Sequence, residues 1–441
     1  MAVTRYTSWA GWPLLIIICC LPVLRWATVG PLGPHFATPV VTLLALGQIT
    51  GLLGLNLYAF NLLLATRIKF FEDLFGGMNK VFIAHHIIGG IALIMLLIHP
   101  TMLALRLVPS SLHDAAMLLL PTFDNLPVAF GVLALWGTIA LLYVTFFVAL
   151  PYPAWLTSHK FLGAFFFLAG LHTLFIPNDL SRDPLLKGYM LGFVVLGVVS
   201  YIYRTLAPNL LVRRYNYLVR TAIQKAPGVV SIDLIPENQL MNFTAGQFVF
   251  VSFKAPGLSA EWHPFTISSA PGAGDFTITV KSLGNYTKTL VGNLPRLNGC
   301  RARVEGAYGR FSYENFGNPQ QIWIAGGIGI TPFLSMAHAM GAGPYNIDLY
   351  YSVKTEAELI DLDSLLAAQI NTPDRVLRVF PFIGDKQGML TADYIAKLSP
   401  NVTARDILVC GPPPMMRAMR SQFRAQGVPN GAIHTEEFAM S

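Results

Sequence analysis

The sequence predicts a multidomain protein: a six-helix transmembrane bundle, then an antiparallel β-barrel, then an α/β domain. Three observations predict this order. Residues 1–210 alternate long apolar runs with short polar breaks, residues 211–318 contain short strands of alternating polarity, and residues 319–441 alternate strands with helices. Alternation with period two is typical of antiparallel strands, and alternating strands and helices are typical of a parallel sheet. The same three ranges are the predicted domain boundaries.

The composition separates this chain from ordinary soluble proteins. Hydrophobic residues make up 54% of the 441 residues and charged residues only 12%, whereas soluble domains carry about 25% charged residues. The formal net charge is +7, but no cluster of lysines and arginines interleaves with aromatic residues, so we expect no nucleic-acid partner. The 4 cysteines form neither a disulfide framework nor a CxxC metal motif. A lipid bilayer is therefore the predicted environment of the first half.

Six apolar segments have about the 17–25 residues that a helix needs to cross a bilayer. They are Trp12–Val29, Pro39–Ala65, Val81–Leu105, Leu126–Leu150, Lys160–Ile176 and Gly188–Leu206. A cleaved signal peptide is the alternative for the first segment, but Arg25 and Trp26 stand in place of a small-residue cleavage site. We therefore expect a retained helix and an integral protein of the plasma or inner membrane.

The charges between the predicted spans set the orientation. Basic residues lie between the second and third spans, at the start of the fifth, and at the end of the sixth and after it: Arg67, Lys69, Lys80, Lys160, Arg204, Arg213, Arg214 and Arg220. The alternate loops are mixed or acidic, with Asp114, Asp124, Asp179 and Asp183. Because cytosolic loops are rich in lysine and arginine, we expect six spans with both termini and the second half of the chain in the cytosol.

Five of the 10 histidines lie in or beside the third and fifth predicted spans. His85 and His99 stand fourteen positions apart in the chain, and His159 and His172 stand thirteen positions apart. Both steps correspond to about 20 Å along a helix, so two levels of imidazoles face each other across the bilayer. Ionisable groups are costly there and indicate a function. We expect His85 with His159 (the inner pair) and His99 with His172 (the outer pair) each to supply both axial ligands of a haem.

Helix geometry complicates this ligand set. The fourteen-position step from His85 to His99 nearly returns to the same face of a helix, whereas the thirteen-position step from His159 to His172 does not. The fifth span is therefore expected to bend, to bulge or to approach the two haems from different sides, and Gly163 and Gly170 would permit this. His86 stands thirteen positions before His99 and competes with His85, which we prefer as the ligand.

Two motifs of the predicted barrel suit a flavin nucleotide. The segment Trp262–Ser269 joins two strands and carries side chains for the isoalloxazine edge and the ribityl chain: His263, Pro264, Phe265, Thr266, Ser268 and Ser269. Downstream, Lys281 opens a segment in which Gly284 and Thr287 lie at a helix start. Free backbone amides at a helix start bind phosphate groups. We expect this second motif to hold a pyrophosphate.

Two strand ends of the predicted α/β domain suit a second nucleotide. After the strand that begins at Ile322, a glycine-rich turn leads into a helix: its residues are Gly326, Gly327, Gly329, Thr331 as the N-cap and Pro332 at the first helical position. The later strand from Leu408 ends in Cys410, Gly411 and Pro412. Ligands of α/β sheets bind at the carboxyl ends of strands. Cys410 is either part of the reacting site or a buried apolar residue.

The histidine spacings, His263-Pro-Phe-Thr266, Gly326–Pro332 and Cys410-Gly-Pro412 together resemble the NADPH oxidase and ferric reductase family across nearly the whole chain. The resemblance implies two stacked b-type haems, a ferredoxin-reductase-like FAD-binding barrel and an NAD(P)H-binding α/β domain that passes electrons outward. It also implies a C-terminal aromatic residue over the flavin ring, for which Phe438 is the match. No EF-hand motif precedes the spans, so we expect no calcium gating.

A hydride carries two electrons and a haem iron accepts one, so a flavin is expected between them. Oxygen, reduced to superoxide, is the expected acceptor beside the outer pair, and a ferric chelate is the alternative. The predicted outward loops carry both positive and negative residues, so they form no positively charged entrance for an anionic chelate, and this favours oxygen. These residues are Arg106, His113, Asp114, Asp179, Arg182, Asp183 and Lys187.

Two further readings come from other classes of protein. The chain is alternatively the electron-supplying partner of another protein or of a quinone pool, although a protein partner is not required. A transporter or proton channel on the same helices is the remaining alternative, and the nucleotide motifs argue against it. NADPH is expected in preference to NADH, because Ser352 ends a strand and Lys354, with Arg375 near, suits a 2′-phosphate.

Overall fold

Two units make up the chain, one ending at Val212 and the other beginning at Arg213. The structure is a computed structural model and describes residues 10–177, 183–272, 274–341 and 343–436. The described part of the first unit contains helices and no strand. The second contains two six-stranded sheets.

Apolar helices form the first unit. Their bounds are Gly11–Thr28 (α1), Pro39–Leu64 (α2), Lys69–Phe75 (α3), Met78–Leu105 (α4), Leu112–Met117 (α5), Leu126–Phe147 (α6), Tyr152–Lys160 (α7), Leu162–Phe175 (α8), Pro184–Tyr201 (α9), with a π-helical turn over Ile202–Leu206, and Pro208–Leu211 (α10). Five of the described helices are long and apolar enough to cross a membrane: α1, α2, α4, α6 and α9 with its π-helical turn. They indicate an integral membrane protein, as predicted.

The predicted fifth span, Lys160–Ile176, is not one continuous helix. Phe161 separates α7, which has 9 residues, from α8, which has 14 residues. Each piece is shorter than the roughly 17–25 residues that cross a bilayer alone. Close packing accompanies the break, since a Cβ on Gly163 would lie 2.1 Å from Cδ2 of Tyr201. Six continuous spans are thus corrected to five, plus one interrupted segment among the described residues.

Glycines let α2 and α4 approach closely. A Cβ on Gly47 would lie 2.7 Å from Leu103, and one on Gly54 would lie 2.9 Å from Leu96. Small residues on a shared face are typical of helix pairs in membranes, because they bring the two backbones together. This packing places backbone carbonyls of α2 next to the histidines of α4.

The first sheet of the second unit is antiparallel throughout. Its strands are Tyr215–Ala226 (β1), Val229–Pro236 (β2), Phe248–Lys254 (β3), His263–Thr266 (β4), Phe276–Lys281 (β5) and Arg301–Tyr308 (β6), and helices Asn285–Gly292 (α11) and Leu294–Leu297 (α12) lie between β5 and β6. Their order is β4-β3-β6-β1-β2-β5. Between the two edge strands, a single bridge joins Ile267 to Ile278. The predicted barrel is therefore a curved sheet that is not fully closed.

The second sheet is parallel except for β9. Its strands are Gln320–Gly326 (β7), Asn346–Val353 (β8), Ile370–Thr372 (β9), Arg375–Ile383 (β10), Asp406–Cys410 (β11) and Ile433–Glu436 (β12), in the order β12-β11-β7-β8-β10-β9. The associated helices are Thr331–Ala339 (α13), Leu362–Ala367 (α14), Gly384–Gln387 (α15), Ala392–Leu398 (α16) and Pro413–Ala425 (α17). Trp323 and Phe333 stack in the core between β7 and α13. The carboxyl ends of β7, β8 and β11 consequently lie at one edge.

Candidate functional site

Four histidines of the membrane unit form two close pairs. The ring centroids of His85 and His159 are 6.2 Å apart, and those of His99 and His172 are 6.4 Å apart. His85 and His99 both project from α4, whereas His159 lies on α7 and His172 on α8. The break at Phe161 therefore lies between the two ligands of the thirteen-position step from His159 to His172.

Backbone carbonyls orient three of these four rings. The Nδ1 atoms of His99 and His172 each lie 2.7 Å from a carbonyl oxygen, that of Gly47 and that of Pro127 respectively. The Nδ1 of His85 lies 3.1 Å from the carbonyl oxygen of Asn61. A carbonyl only accepts, so each Nδ1 carries the proton and each Nε2 keeps a lone pair for a metal.

His159 is held differently. Its Nδ1 is buried and has no hydrogen-bond partner in the described part of the chain. Its ring instead stacks on the indole of Trp155, with centroids 5.3 Å apart and planes 8° apart. The Trp155 indole N–H donates to the carbonyl of Thr145 at 3.1 Å, which fixes the stacking surface.

Two glycines make room for the outer pair. A Cβ on Gly51 would lie 2.6 Å from Nδ1 of His99, and one on Gly131 would lie 2.8 Å from Nδ1 of His172. In each case the glycine follows the acceptor carbonyl by four residues, so the imidazole approaches the helix where a side chain is missing. Sequence reasoning overlooked both glycines. Their spacing from Gly47 and Pro127 was a usable signal only once the helix pairing was known.

The separations of the paired rings fit a metal between them. Two imidazole–metal bonds of about 2 Å, and about 1 Å from each ring centre to its nitrogen, add to about 6 Å. No group of three or more His, Cys, Asp or Glu side chains able to hold a metal occurs among the described residues. Each pair therefore suits a metal that arrives with its other ligands, as iron does in a porphyrin.

A cavity of about 350 Å³ adjoins the outer pair. Such a volume is within the usual range for ligand pockets, roughly 300–1,000 Å³. His99 and His172 line it together with mainly apolar side chains, and Gln48 and Arg106 are among its few polar residues. An apolar chamber with two converging imidazoles fits a haem.

His86 is less suited to be a ligand than His85. Its side chain is exposed, whereas that of His85 is half-buried. The two rings meet edge to face with centroids 5.9 Å apart. The ring near His159 is that of His85.

In the second unit, β4 carries the predicted flavin motif. The His263 ring stacks on Tyr286, with centroids 3.8 Å apart, and its Nε2 lies 2.9 Å from Oε2 of Glu261. Burial lowers the pKa of His263, although Glu261 opposes this shift. Burial also raises the pKa of Tyr286, which keeps the phenol neutral. Tyr286 lies inside the predicted pyrophosphate motif, and its role beside His263 was missed.

The remaining residues of the flavin motif divide into two groups. Pro264 and Phe265 pair with β3, and Thr266 ends the strand with its side chain buried. Two serines after β4 are engaged within the sheet: the Ser268 hydroxyl lies 3.0 Å from that of Thr279, and the Ser269 hydroxyl accepts from the amide of Thr277. Ser268 and Ser269 thus support the fold beside the motif.

Thr287 organises the turn before α11. Its hydroxyl accepts from the amides of Leu283 and Gly284 at 2.9 and 3.0 Å. Lys281, at the end of β5, does not join this turn. Its Nζ lies 3.7 Å from Glu358 and 3.9 Å from the position that a Cβ on Gly327 would take. The structure therefore brings Lys281 to the glycine-rich turn of the α/β sheet.

Two glycine-bearing strand ends meet at the sheet edge. Residues of β11 pair in register with β7, ending with Cys410 beside Ala325. A Cβ on Gly326 would lie 2.9 Å from Cδ of Pro412, and one on Gly411 would lie 3.0 Å from the Cα of Gly326. The two motifs therefore form one continuous glycine-lined edge.

The glycine-rich turn differs in detail from the prediction. Gly327 has a φ of +55°, which favours glycine, and residues Gly327–Ile330 form a 3₁₀ turn. Helix α13 begins at Thr331, one residue earlier than predicted, and the Thr331 hydroxyl donates to the carbonyl of Ile328. Thr331 is thus the first helical residue rather than the N-cap, because the preceding 3₁₀ turn leads directly into the helix. Gly329 lies so close to the carbonyl of Cys410 that a Cβ there would be 2.2 Å from it.

Two of the residues predicted to contact the nucleotide ribose lie at the same edge, and the third does not. Ser352 on β8 pairs with Gly326, and the exposed Lys354 follows two residues later. Arg375 begins β10, which runs parallel to β8, so it lies at the opposite edge. Its guanidinium donates to the carbonyls of Met340 and Gly341. The expected nearness of Arg375 to Lys354 was wrong because the strand direction reverses that assignment.

The two residues predicted for the reacting site, Cys410 and Phe438, differ in what can be said of them. Cys410 ends β11 as expected, but its side chain is fully buried, and this burial raises its thiol pKa well above the ordinary value. The thiol is therefore neutral and packed in the core. Phe438 lies outside the described residues.

Three family models match successive parts of the chain. The model described as "Ferric reductase like transmembrane component" matches residues 50–170. "FAD-binding domain" matches residues 215–314, and "Oxidoreductase NAD-binding domain" matches residues 323–421. The histidine pairs lie in or beside the first match, β4 in the second and the glycine-lined edge in the third.

Two curated relatives illustrate the similarity. The stachydrine N-demethylase reductase subunit of Rhizobium meliloti is 30% identical over 231 residues, which cover 49% of this chain and 65% of that protein. NADPH oxidase 3 of Rattus norvegicus is 29% identical over 170 residues, which cover 36% of this chain and 28% of that protein. The chain thus spans less than two thirds of either. A flavohemoglobin structure from Malassezia yamatoensis aligns with a TM-score of 0.49 at 17% identity, covering 91% of this chain and 98% of that one. The family models and the curated relatives confirm the predicted resemblance to the NADPH oxidase and ferric reductase family.

Proposed function

We propose, from the premise that this chain is a membrane NAD(P)H-dependent oxidoreductase with FAD- and NAD-binding domains, that it transfers electrons through two haems to an acceptor across the membrane. The observation that carries the proposal is the pair of imidazole separations, 6.2 and 6.4 Å, within a ferric reductase-like region. Both separations suit a bis-histidine metal. A low-spin, six-coordinate iron of this kind favours electron transfer.

The proposed haem ligands are the inner pair, His85 and His159, and the outer pair, His99 and His172. Carbonyl contacts hold the lone pairs of three Nε2 atoms ready for iron. The interrupted segment α7–α8 counts as one crossing in this proposal, which gives six crossings with both termini cytosolic. The basic residues that follow the second and sixth crossings, together with Lys160 in the fifth, support this orientation.

The proposed flavin site comprises β4 and the start of α11. His263, Pro264, Phe265 and Thr266 are proposed to face the ring system, and the start of α11, where Gly284 and Thr287 lie, is proposed to approach its pyrophosphate. Ser268 and Ser269 support this strand from within the sheet. Phe438 is proposed to cover the flavin ring. When bound, the flavin accepts a hydride as two electrons and releases them one at a time to one-electron carriers.

The nucleotide is proposed to bind along the glycine-lined edge. The glycines Gly326, Gly327, Gly329 and Gly411 let a phosphate chain approach the backbone, with Thr331, Pro332 and Pro412 shaping the turn. Lys281 adds a positive charge beside Gly327. Ser352 and Lys354 receive the 2′-phosphate of NADPH, and Cys410 supports the reacting end from below.

Oxygen is the proposed acceptor, with superoxide as product, and a ferric chelate is the alternative. The mainly apolar cavity beside the outer pair supports a small neutral acceptor over a bulky anion. Similarity to a reductase subunit favours a second candidate function, the supply of electrons to another protein.

Anaerobic NADPH addition to the purified chain in lipid nanodiscs tests the proposal. Haem absorbance should shift to the reduced form without any added protein, and admitted oxygen should reoxidise it with superoxide release. Ferric citrate without oxygen gives the matched comparison. Haem that stays oxidised under NADPH would refute the proposed route, and reduction without superoxide but with rapid ferric reduction would assign the alternative acceptor.

A further inference from the structure

Arg106 occupies an unusual place at the outward end of α4. It caps this helix seven residues after His99. Seven residues are almost two turns, so Arg106 follows His99 on nearly the same helix face at a distance of about 10 Å. Both residues line the cavity that adjoins the outer pair.

None of the described residues that line the cavity neutralises the charge of Arg106. Of the described residues that line the cavity, Arg106 alone is permanently charged, and no Asp or Glu is among them. Its Nε is buried without a hydrogen-bond partner in the part of the chain that the structure describes. A guanidinium keeps its proton at any ordinary pH, so it remains charged beside this apolar chamber.

Other polar groups of the cavity are already engaged. The Gln48 side-chain oxygen accepts from the indole N–H of Trp26 at 3.2 Å. The hydroxyls of Tyr58 and Thr173 donate to the carbonyls of Leu162 and Ala169. Apart from the Nε2 lone pairs of His99 and His172, which accept, the Nε of Arg106 therefore offers an open donor with positive charge at this cavity.

We propose that Arg106 is a carboxylate-binding residue of the outer cavity. A planar guanidinium matches a carboxylate geometrically, and a charge-assisted pair of this kind offsets the cost of its desolvation. Two sources supply that chemistry here: a propionate of a haem ligated by the outer pair, or a free carboxylate anion that enters the cavity. The inference rests on the proposed function, since the first source requires the outer haem.

The test uses the full chain in nanodiscs, with Arg106→Gln, Arg106→Lys and the control Lys187→Gln. Lys187 is a cation of α9 that does not line the cavity. Haem per chain is measured, and the midpoint potentials of the haem components are titrated with and without iron-free sodium citrate.

If a propionate is the ligand, Arg106→Gln loses one of two haems or lowers the potential of one component. Arg106→Lys and Lys187→Gln then retain both haems, and citrate has no effect. If a free carboxylate is the ligand, all variants keep two haems, and citrate shifts one potential in the wild type but not in Arg106→Gln.

An unchanged haem content and potential in Arg106→Gln, together with no citrate effect in the wild type, would overturn the inference. So would equal haem loss in Arg106→Gln and Arg106→Lys, because a charge requirement predicts rescue by lysine. A wild type that holds fewer than two haems would instead refute the proposed function.

Discussion

In the outer pair both imidazoles contact helix carbonyls at 2.7 Å, whereas in the inner pair only His85 does so, at 3.1 Å. The fourth imidazole, His159, stacks on Trp155 instead. A hydrogen bond from Nδ1–H raises the basicity of an imidazole ligand and stabilises the oxidised metal. If each pair holds the proposed haem, the two haems are therefore expected to differ in midpoint potential, and the inner haem is expected to be the easier to reduce.

Removal of one histidine ligand should distinguish the outer haem site from the inner haem site most clearly. His99→Ala or His172→Ala is expected to remove one of two haems and leave NADPH reduction of the flavin intact, because the ligands and the flavin motif lie in different units. His85→Ala should remove the other haem. Haem quantification with stopped-flow flavin absorbance checks this. Complete haem loss in an outer-pair variant and also in His85→Ala would mean that the two pairs do not bind haem independently.

Substitution of a glycine should reproduce the loss of the outer haem while both histidine ligands remain in place. Gly51→Ala places a Cβ 2.6 Å from Nδ1 of His99, and overpacking of this kind costs about 1–3 kcal/mol. The outer haem signal should fall by more than half. Gly90→Ala is the matched control, since nothing lies within 4 Å of its added Cβ. Equal haem content in the two variants would contradict the proposed clearance.

A substitution at the proposed NADPH site should slow electron delivery to both haems equally. Lys354→Ala is expected to lower kcat/KM for NADPH about tenfold, equivalent to about 1.4 kcal/mol, through loss of a charge-assisted contact with the 2′-phosphate. NADH turnover and haem content should not change. Steady-state kinetics with both nucleotides decides the point, and an equal effect on NADH would exclude a 2′-phosphate role.

The smallest expected effect concerns the stacking partner of His159. Trp155→Leu should keep two haems per chain but shift the midpoint potential of the inner component only, because the ring loses its flat support. Trp155→Phe, which retains an aromatic face, should shift it less. A potential titration that moves both components equally would show that Trp155 does not act through His159.

The sequence was informative where the spacing of residues along one helix or strand alone determines their relative positions. Two histidines fourteen positions apart on one helix must face the same side about 20 Å apart, and a strand followed by glycines and a capped helix predicts a phosphate site. The two depths of the histidines in the membrane could therefore be predicted without knowing how the helices pack. The family resemblance followed from the same motifs.

Other features depend on contacts between distant residues. The break at Phe161 coincides with the close approach of Gly163 to the Tyr201 ring, which belongs to a later helix. Gly51 makes room for His99 only because α2 faces α4, which the sequence does not show. Arg375 could not be placed at one edge of the sheet before the direction of β10 was known. Local patterns carry none of these pairings, because the side chains that define them come from separate elements.

Counting the haems per chain while each midpoint potential is resolved is the decisive test of transmembrane electron transfer through two haems. We expect two b-type haems per wild-type chain, with a lower-potential component that disappears in His99→Ala. One haem per chain in the fully loaded wild type, or two haems of which neither depends on His99, would contradict it.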